Sequence, residues 1–88
     1  ADRYWPEVDT AEDGCVRNTG GRKGNQFVCI PIGIRPRGVG LEARTGLRFT
    51  AYDPLTGDEV KAGTLKAGER IILPAANGAY LIKGHLLR

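Results

Sequence analysis

The sequence predicts an all-β fold: a single small β-sandwich or barrel of about six to eight short antiparallel strands, with an extended N-terminal arm. Three observations predict it. Thirteen glycines and five prolines in 88 residues interrupt the chain too often for long helices. Aliphatic and aromatic residues recur with a period of two, the repeat of a pleated strand. Turn-forming clusters return roughly every 8–12 residues, the spacing seen in sandwiches and small barrels. A chain of 88 residues closes one core and not two. The expected division is an arm, 1–13, and one domain, 14–88. With 41% apolar and 26% charged residues, the composition excludes a disordered or fibrous chain. No apolar run approaches the ~18–20 residues of a membrane-spanning helix.

Residues 1–13 (ADRYWPEVDTAED) show no sustained period and read as the arm. Tyr4 and Trp5 stand together in it, and two such rings avoid water, so the arm either folds back over the domain or docks on a partner. Residues 14–25 form a Gly-rich basic segment, read as a hairpin or surface loop; it lacks both nucleotide-binding glycine fingerprints. From Gln26 the chain is strand-like: Val28, Ile30, Ile32 and Ile34 share one parity and alternate with Phe27, Cys29, Pro31 and Gly33. Pro31 cannot donate to a ladder, which predicts an edge strand or a bulge there. From Val39 to Tyr52, one parity (Val39, Leu41, Ala43, Thr45, Leu47, Phe49, Ala51) is almost wholly apolar and the other is polar. That pattern belongs to half-buried strands, with Thr45-Gly46 as a turn or bulge dividing them. Asp53-Pro54-Leu55-Thr56-Gly57 is a turn by composition. Val60 to Leu65 is a short strand, Lys66 to Glu69 a turn, and Arg70 to Pro74 a buried strand. Asn77-Gly78 is the type I′ hairpin dipeptide. A last strand within Ala79–Leu87 ties the C-terminus into the sheet.

Charge is uneven. The arm sums to −4, whereas residues 14–37 carry Arg17, Arg22, Lys23, Arg35 and Arg37 and no acid. These are expected to be interacting or mutually complementary surfaces. Cys15 and Cys29 lie too far apart for a redox motif and lack the companions of a metal site. The expectation is a disulfide closing a loop of about 15 residues, worth roughly 3 kcal/mol, over two buried thiols. Such a bond, with the chain beginning at Ala1, would indicate export to the periplasm, cell surface or medium. There is no N-glycosylation acceptor.

The string RFTAYDPLTGDEVKAGTLKAGERIILPAANGAYLIKGHLL, residues 48–87, resembles the small C-terminal β-sandwich, of putative collagen-binding type, appended to some bacterial glycoside hydrolases. The resemblance lies in Phe49 and Tyr52 leading into the Asp53–Gly57 turn, then in Leu73-Pro74 and Tyr80-Leu81-Ile82. It covers under half of the chain and leaves out the arm, the cysteines and the Gly-rich segment. It implies an accessory module without catalytic residues of its own.

The residues themselves give no catalytic constellation. There is no serine, and the single histidine, His85, shares the parity of Lys83, which reads as a sheet-surface position. No enzyme activity, metal or cofactor is expected. The expected function is that of a non-catalytic structural or interaction subunit, docking on a larger protein and stabilising a multi-subunit assembly, such as an exported accessory subunit or a virion decoration protein. Tyr4 and Trp5 would anchor the arm; Arg17, Arg22, Lys23, Arg35 and Arg37 would supply complementary charge. The first alternative is a carbohydrate-binding accessory module in which Tyr52 and Tyr80 stack on sugar rings. The second is a small basic barrel binding nucleic acid, with Phe27, Tyr52 and Tyr80 available for stacking.

Overall fold

The computed structural model of the chain describes residues 6–10, 14–75 and 77–87. Among these residues the strands are β1 Glu7–Val8, β2 Cys15–Lys23, β3 Gln26–Ile34, β4 Val39–Glu42, β5 Leu47–Tyr52, β6 Glu59–Leu65, β7 Arg70–Leu73 and β8 Leu81–Leu86. All pairings are antiparallel. They form a three-stranded sheet of order β1-β4-β7 and a five-stranded sheet of order β2-β3-β8-β5-β6. The two sheets enclose one core, so the architecture is a sandwich. Tyr4 and Trp5 lie outside the described residues. Glu7 and Val8, within the segment read as an arm, pair with Glu42 and Leu41 of β4.

The alternation read between Val39 and Tyr52 is realised on both sides of a sheet change. Val39, Leu41 and Ala43 are buried from one sheet, and Leu47, Phe49 and Ala51 from the other. Residues 43–46 carry the chain across. Ala43 is held there by backbone bonds to Glu69 (2.9 Å) and from Gly68 (2.8 Å). Leu73, Ile82, Leu86 and Tyr80 complete the middle of the core.

In β3 the face turned inward is Phe27, Cys29 and Pro31, not the β-branched row, and Ile32 is 40% exposed. Both parities of this strand are apolar, so the period alone cannot choose between them. What chooses is the neighbour. Gly84 of β8 sits between Phe27 and Phe49 in the inward row, and a Cβ there would come within 2.7 Å of the Phe27 ring. The missing side chain makes room for the ring. Past this row Gly33 adopts a φ of 71°, and the N–H groups of Gly33 and Ile34 both donate to the Gly78 carbonyl (2.8 and 2.9 Å). This bulge reverses the parity, so Ile34 packs on the core although Ile32 does not.

Other expectations are corrected by the pairing. Cys15 and Cys29 are both buried and unbonded. Cys15 lies opposite Ile34, and Cys29 opposite Gly20. The five residue steps along β3 from Cys29 to Ile34 span about 16 Å, whereas a disulfide needs Cα atoms within about 7 Å. The part of the export expectation that rested on that bond goes with it. The Gly-rich segment is a regular nine-residue strand, although it does form a hairpin with β3 as expected. Strand β3 is internal to its sheet rather than an edge. Pro31 fits because the pairing with β8 ends at Cys29–Ile82. Asn77-Gly78 makes no type I′ hairpin: only Gly78 has a positive φ (84°), and the strands on either side of it, β7 and β8, belong to different sheets. Strand β7 is an edge, with Ile72 54% exposed, not a buried strand.

The turn after β5 is as its composition predicts. The Asp53 carboxylate accepts from the Leu55 amide (2.8 Å), the Gly57 amide donates to the Asp53 carbonyl (2.7 Å), and Gly57 takes a φ of 78°. The second carboxylate oxygen of Asp53 accepts from the Asn77 side-chain amide. This satisfies a carboxylate that is only 8% exposed and links the turn to the β7–β8 connection.

Candidate functional site

Strands of the larger sheet carry six Lys or Arg (Arg17, Arg22, Lys23, Arg48, Lys61, Lys83) and a single acid, Glu59. The register decides which of these share a surface. Lys23, Gln26, His85 and Arg48 form one row across β2, β3, β8 and β5, and Gly21, Val28, Lys83 and Thr50 form the next. Tyr52 follows on β5, opposite Leu81 and Glu59. Strands lie ~4.8 Å apart and same-face residues ~6.7 Å apart along a strand. Lys23, Arg48, Lys83 and His85 therefore fall within about 15 Å of one another, with Arg48 and Lys83 about 8 Å apart, near one Debye length at physiological salt. Their fields add. Arg17, Lys23, Arg48 and Lys83 make no ion pair among the described residues.

Between β2 and β5 these rows border an open groove of about 660 Å³, walled by Arg22, Lys23, Val28, Tyr52, Lys83 and His85. Its floor is the sheet itself, at Phe27 and Gly84. The groove offers positive charge, the amide and hydroxyl groups of Gln26 and Thr50, and one aromatic ring.

The residues expected to bind divide sharply. Arg17 and Lys23 belong to the outer face, and Arg22 reaches the groove wall while its Nε donates to the Gly24 carbonyl (2.6 Å). Arg35 and Arg37 lie at the opposite end of β3, in and after its exit toward β4. There Arg35 is half-buried, and its Nε is buried without a hydrogen-bond partner. Tyr52 stands on the outer face as its parity predicts. Tyr80 does not: it is fully buried, its hydroxyl donating to the Pro74 carbonyl, so it offers no stacking surface to sugar or base. Phe27 is likewise 4% exposed. Sequence reasoning missed Arg48 and Lys83 as members of the site. Their signal was present, since both lie on the polar parity of otherwise apolar strands.

Elsewhere the nucleophiles are closed off. Burial pushes the Cys29 thiol up to about 12 and raises that of Cys15, whose Sγ donates to the Asp9 carbonyl (2.9 Å). Both thiols are protonated at neutral pH and unreactive. Among the described residues no three His, Cys, Asp or Glu side chains gather as metal ligands. Among the same residues no helix is long and apolar enough to cross a membrane. The chemistry available at the face is ion pairing and hydrogen bonding.

No family model, curated protein or solved structure matches this chain.

Proposed function

We propose that this domain is a non-catalytic docking module that binds a larger protein partner through the basic outer face of its five-stranded sheet, helping to hold a multi-subunit assembly together. One observation carries the reading: the register gathers Lys23, Arg48, Lys83 and His85 from three strands onto one surface, with Glu59 as the only acid in that sheet's strands. Such a face is costly to leave facing itself and complements an acidic surface, raising the encounter rate and fixing orientation. The likeness of residues 48–87 to an accessory sandwich of glycoside hydrolases supports the same non-catalytic role.

The test is a photo-crosslinking amino acid placed at position 83 or, as a control, at the exposed turn position 66, in the organism's own extract. The expected product is an acidic protein captured from position 83 and not from 66, with capture lost when Arg48→Glu and Lys83→Glu are combined and the unfolding midpoint is kept. Equal capture from both positions, or capture indifferent to the charge reversal, rejects the reading. Nucleic acid as the captured species would assign the face to phosphate backbone instead, with its steep salt dependence.

A saccharide is the second reading, favoured by Tyr52 on the groove wall beside Gln26 and Thr50. Retention on a polysaccharide that Tyr52→Ala abolishes would establish it.

A further inference from the structure

We infer that the edge of β2, unpaired from Asn18 to Gly20 among the described residues, receives an extended acidic segment of the partner protein as a sixth strand of the larger sheet. The inference rests on the docking reading above and specifies which element of the partner is recognised.

Strand β2 is an edge by its place in the sheet order, is nine residues long, and contains no proline. Natural proteins shorten, cover or interrupt such edges because their free backbone groups pair readily with other chains. Here the hairpin geometry fixes which groups are free. The two-residue turn at Gly24-Asn25, with Gly24 at a φ of 61°, makes Lys23–Gln26 a hydrogen-bonded pair. Alternating from there, Gly20 and Asn18 fall in the wide pairs, and their N–H and C=O groups point away from β3; the alternation ends before Cys15, whose N–H donates to the Asp9 carbonyl (3.1 Å). Pro31 agrees with this assignment, since it lies opposite Asn18, where β3 is not asked for a donor. Val16 is 65% exposed, and Gly20 is exposed as well.

Side chains say what the added strand is. Arg17, Thr19, Gly21 and Lys23 share the outer face in that order. At Gly21 a Cβ would meet nothing within 4 Å and φ is not positive, so the fold does not require glycine there. The result is a bare patch between Thr19 and Lys23, which a large side chain on a facing strand would cover. A second copy of β2 is a poor occupant: antiparallel pairing centred on Gly20 sets Arg17 against Lys23, and like charges directly opposed destabilise a sheet. The fitting segment has two carboxylates six residues apart, the separation of Arg17 and Lys23, and a ring two residues from one of them. Backbone bonds would supply affinity, and these side chains the selectivity.

The test uses a capped peptide of the length of β2 with two Glu and one Tyr at that spacing, titrated into the whole chain and followed by amide NMR. Exchange should slow at Asn18 and Gly20 in the complex. Asn18→Pro, which removes one edge donor and obstructs the approaching strand, should weaken binding about tenfold or more at an unchanged unfolding midpoint. Should that variant unfold, the same peptide N-methylated on its hydrogen-bonding edge decides the matter: loss of its binding supports strand addition, and retained binding overturns it. Shifts confined to Thr50, Tyr52, Lys83 and His85, with Asn18→Pro neutral, overturn the edge inference and leave the docking face standing. No peptide binding, together with partner capture indifferent to Arg48→Glu and Lys83→Glu, removes both. A sedimenting dimer that Asn18→Pro dissociates would give the edge to a second copy and overturn the inference.

Discussion

The two sheets treat charge differently. On the smaller sheet, cations and anions meet: Arg70 grips Asp9 with both guanidinium nitrogens, and Arg44 pairs with Glu7. These contacts run between β1, β7 and the β4–β5 connection. On the larger sheet, Arg17, Lys23, Arg48 and Lys83 face solvent with no carboxylate partner among the described residues. The smaller sheet has spent its charges on holding itself together, while the larger has kept them available. Electrostatics that stabilise a fold and electrostatics that recognise a partner thus occupy different surfaces, and the core lies between them.

That comparison can be broken from the inside outward. The largest effect belongs to the core both sheets share. Phe49→Ala removes a ring that is 2% exposed and lies over Gly63, and is expected to cost about 3–5 kcal/mol in urea unfolding. Alkali comes next. Cys29 titrates at about 12 in the fold against 9.0 free, so the folded state holds its proton more tightly. Its contribution is complete below pH 9 and is lost as pH rises from 9 toward 12, at about 1.4 kcal/mol per unit. The alkaline fall in the urea midpoint should flatten in Cys29→Val, and an equal fall in both proteins would refute the assignment.

Smaller still is Asn77→Ala, which strips one donor from the buried Asp53 carboxylate; thermal unfolding should register a loss of about 1–3 kcal/mol. The surface charges come last and divide the two sheets. Arg70→Ala breaks a partly exposed pair and should lower stability by up to about 1 kcal/mol. Lys83→Ala should leave stability within about 0.5 kcal/mol of the parent, yet reduce capture of the acidic partner. If Lys83→Ala destabilises as much as Arg70→Ala, the larger sheet's cations are structural and the contrast between the sheets disappears.

Legibility in the sequence followed the contrast between a residue's two neighbours. Leu47, Phe49 and Ala51 alternate with Arg48, Thr50 and Tyr52, so water sorts them and the buried set is evident. Phe27, Cys29 and Pro31 alternate with Val28, Ile30 and Ile32, so water sorts nothing, and a glycine 57 residues away, Gly84, made the choice. The candidate site was half visible for a related reason. Arg17, Arg22 and Lys23 lie together in sequence and were found. Arg48, Lys83 and His85 come from strands far apart in the chain and meet only through the register. Arg35 and Arg37, adjacent to the first group in sequence, go to the other end of the hairpin.

By itself, then, the sequence determined that this chain is helix-poor, turns where Asp53-Pro54 and Gly57 stand, and buries one face of β4 and of β5. Those properties depend on local backbone preference and on the exchange of a side chain between water and oil, both readable from neighbouring residues. Which strands adjoin, which face of β3 is inside, whether Cys15 reaches Cys29 and which cations share a surface were decided by the tertiary structure alone. Each depends on a distance between residues remote in sequence, and that distance is set only when both sheets close on the same core.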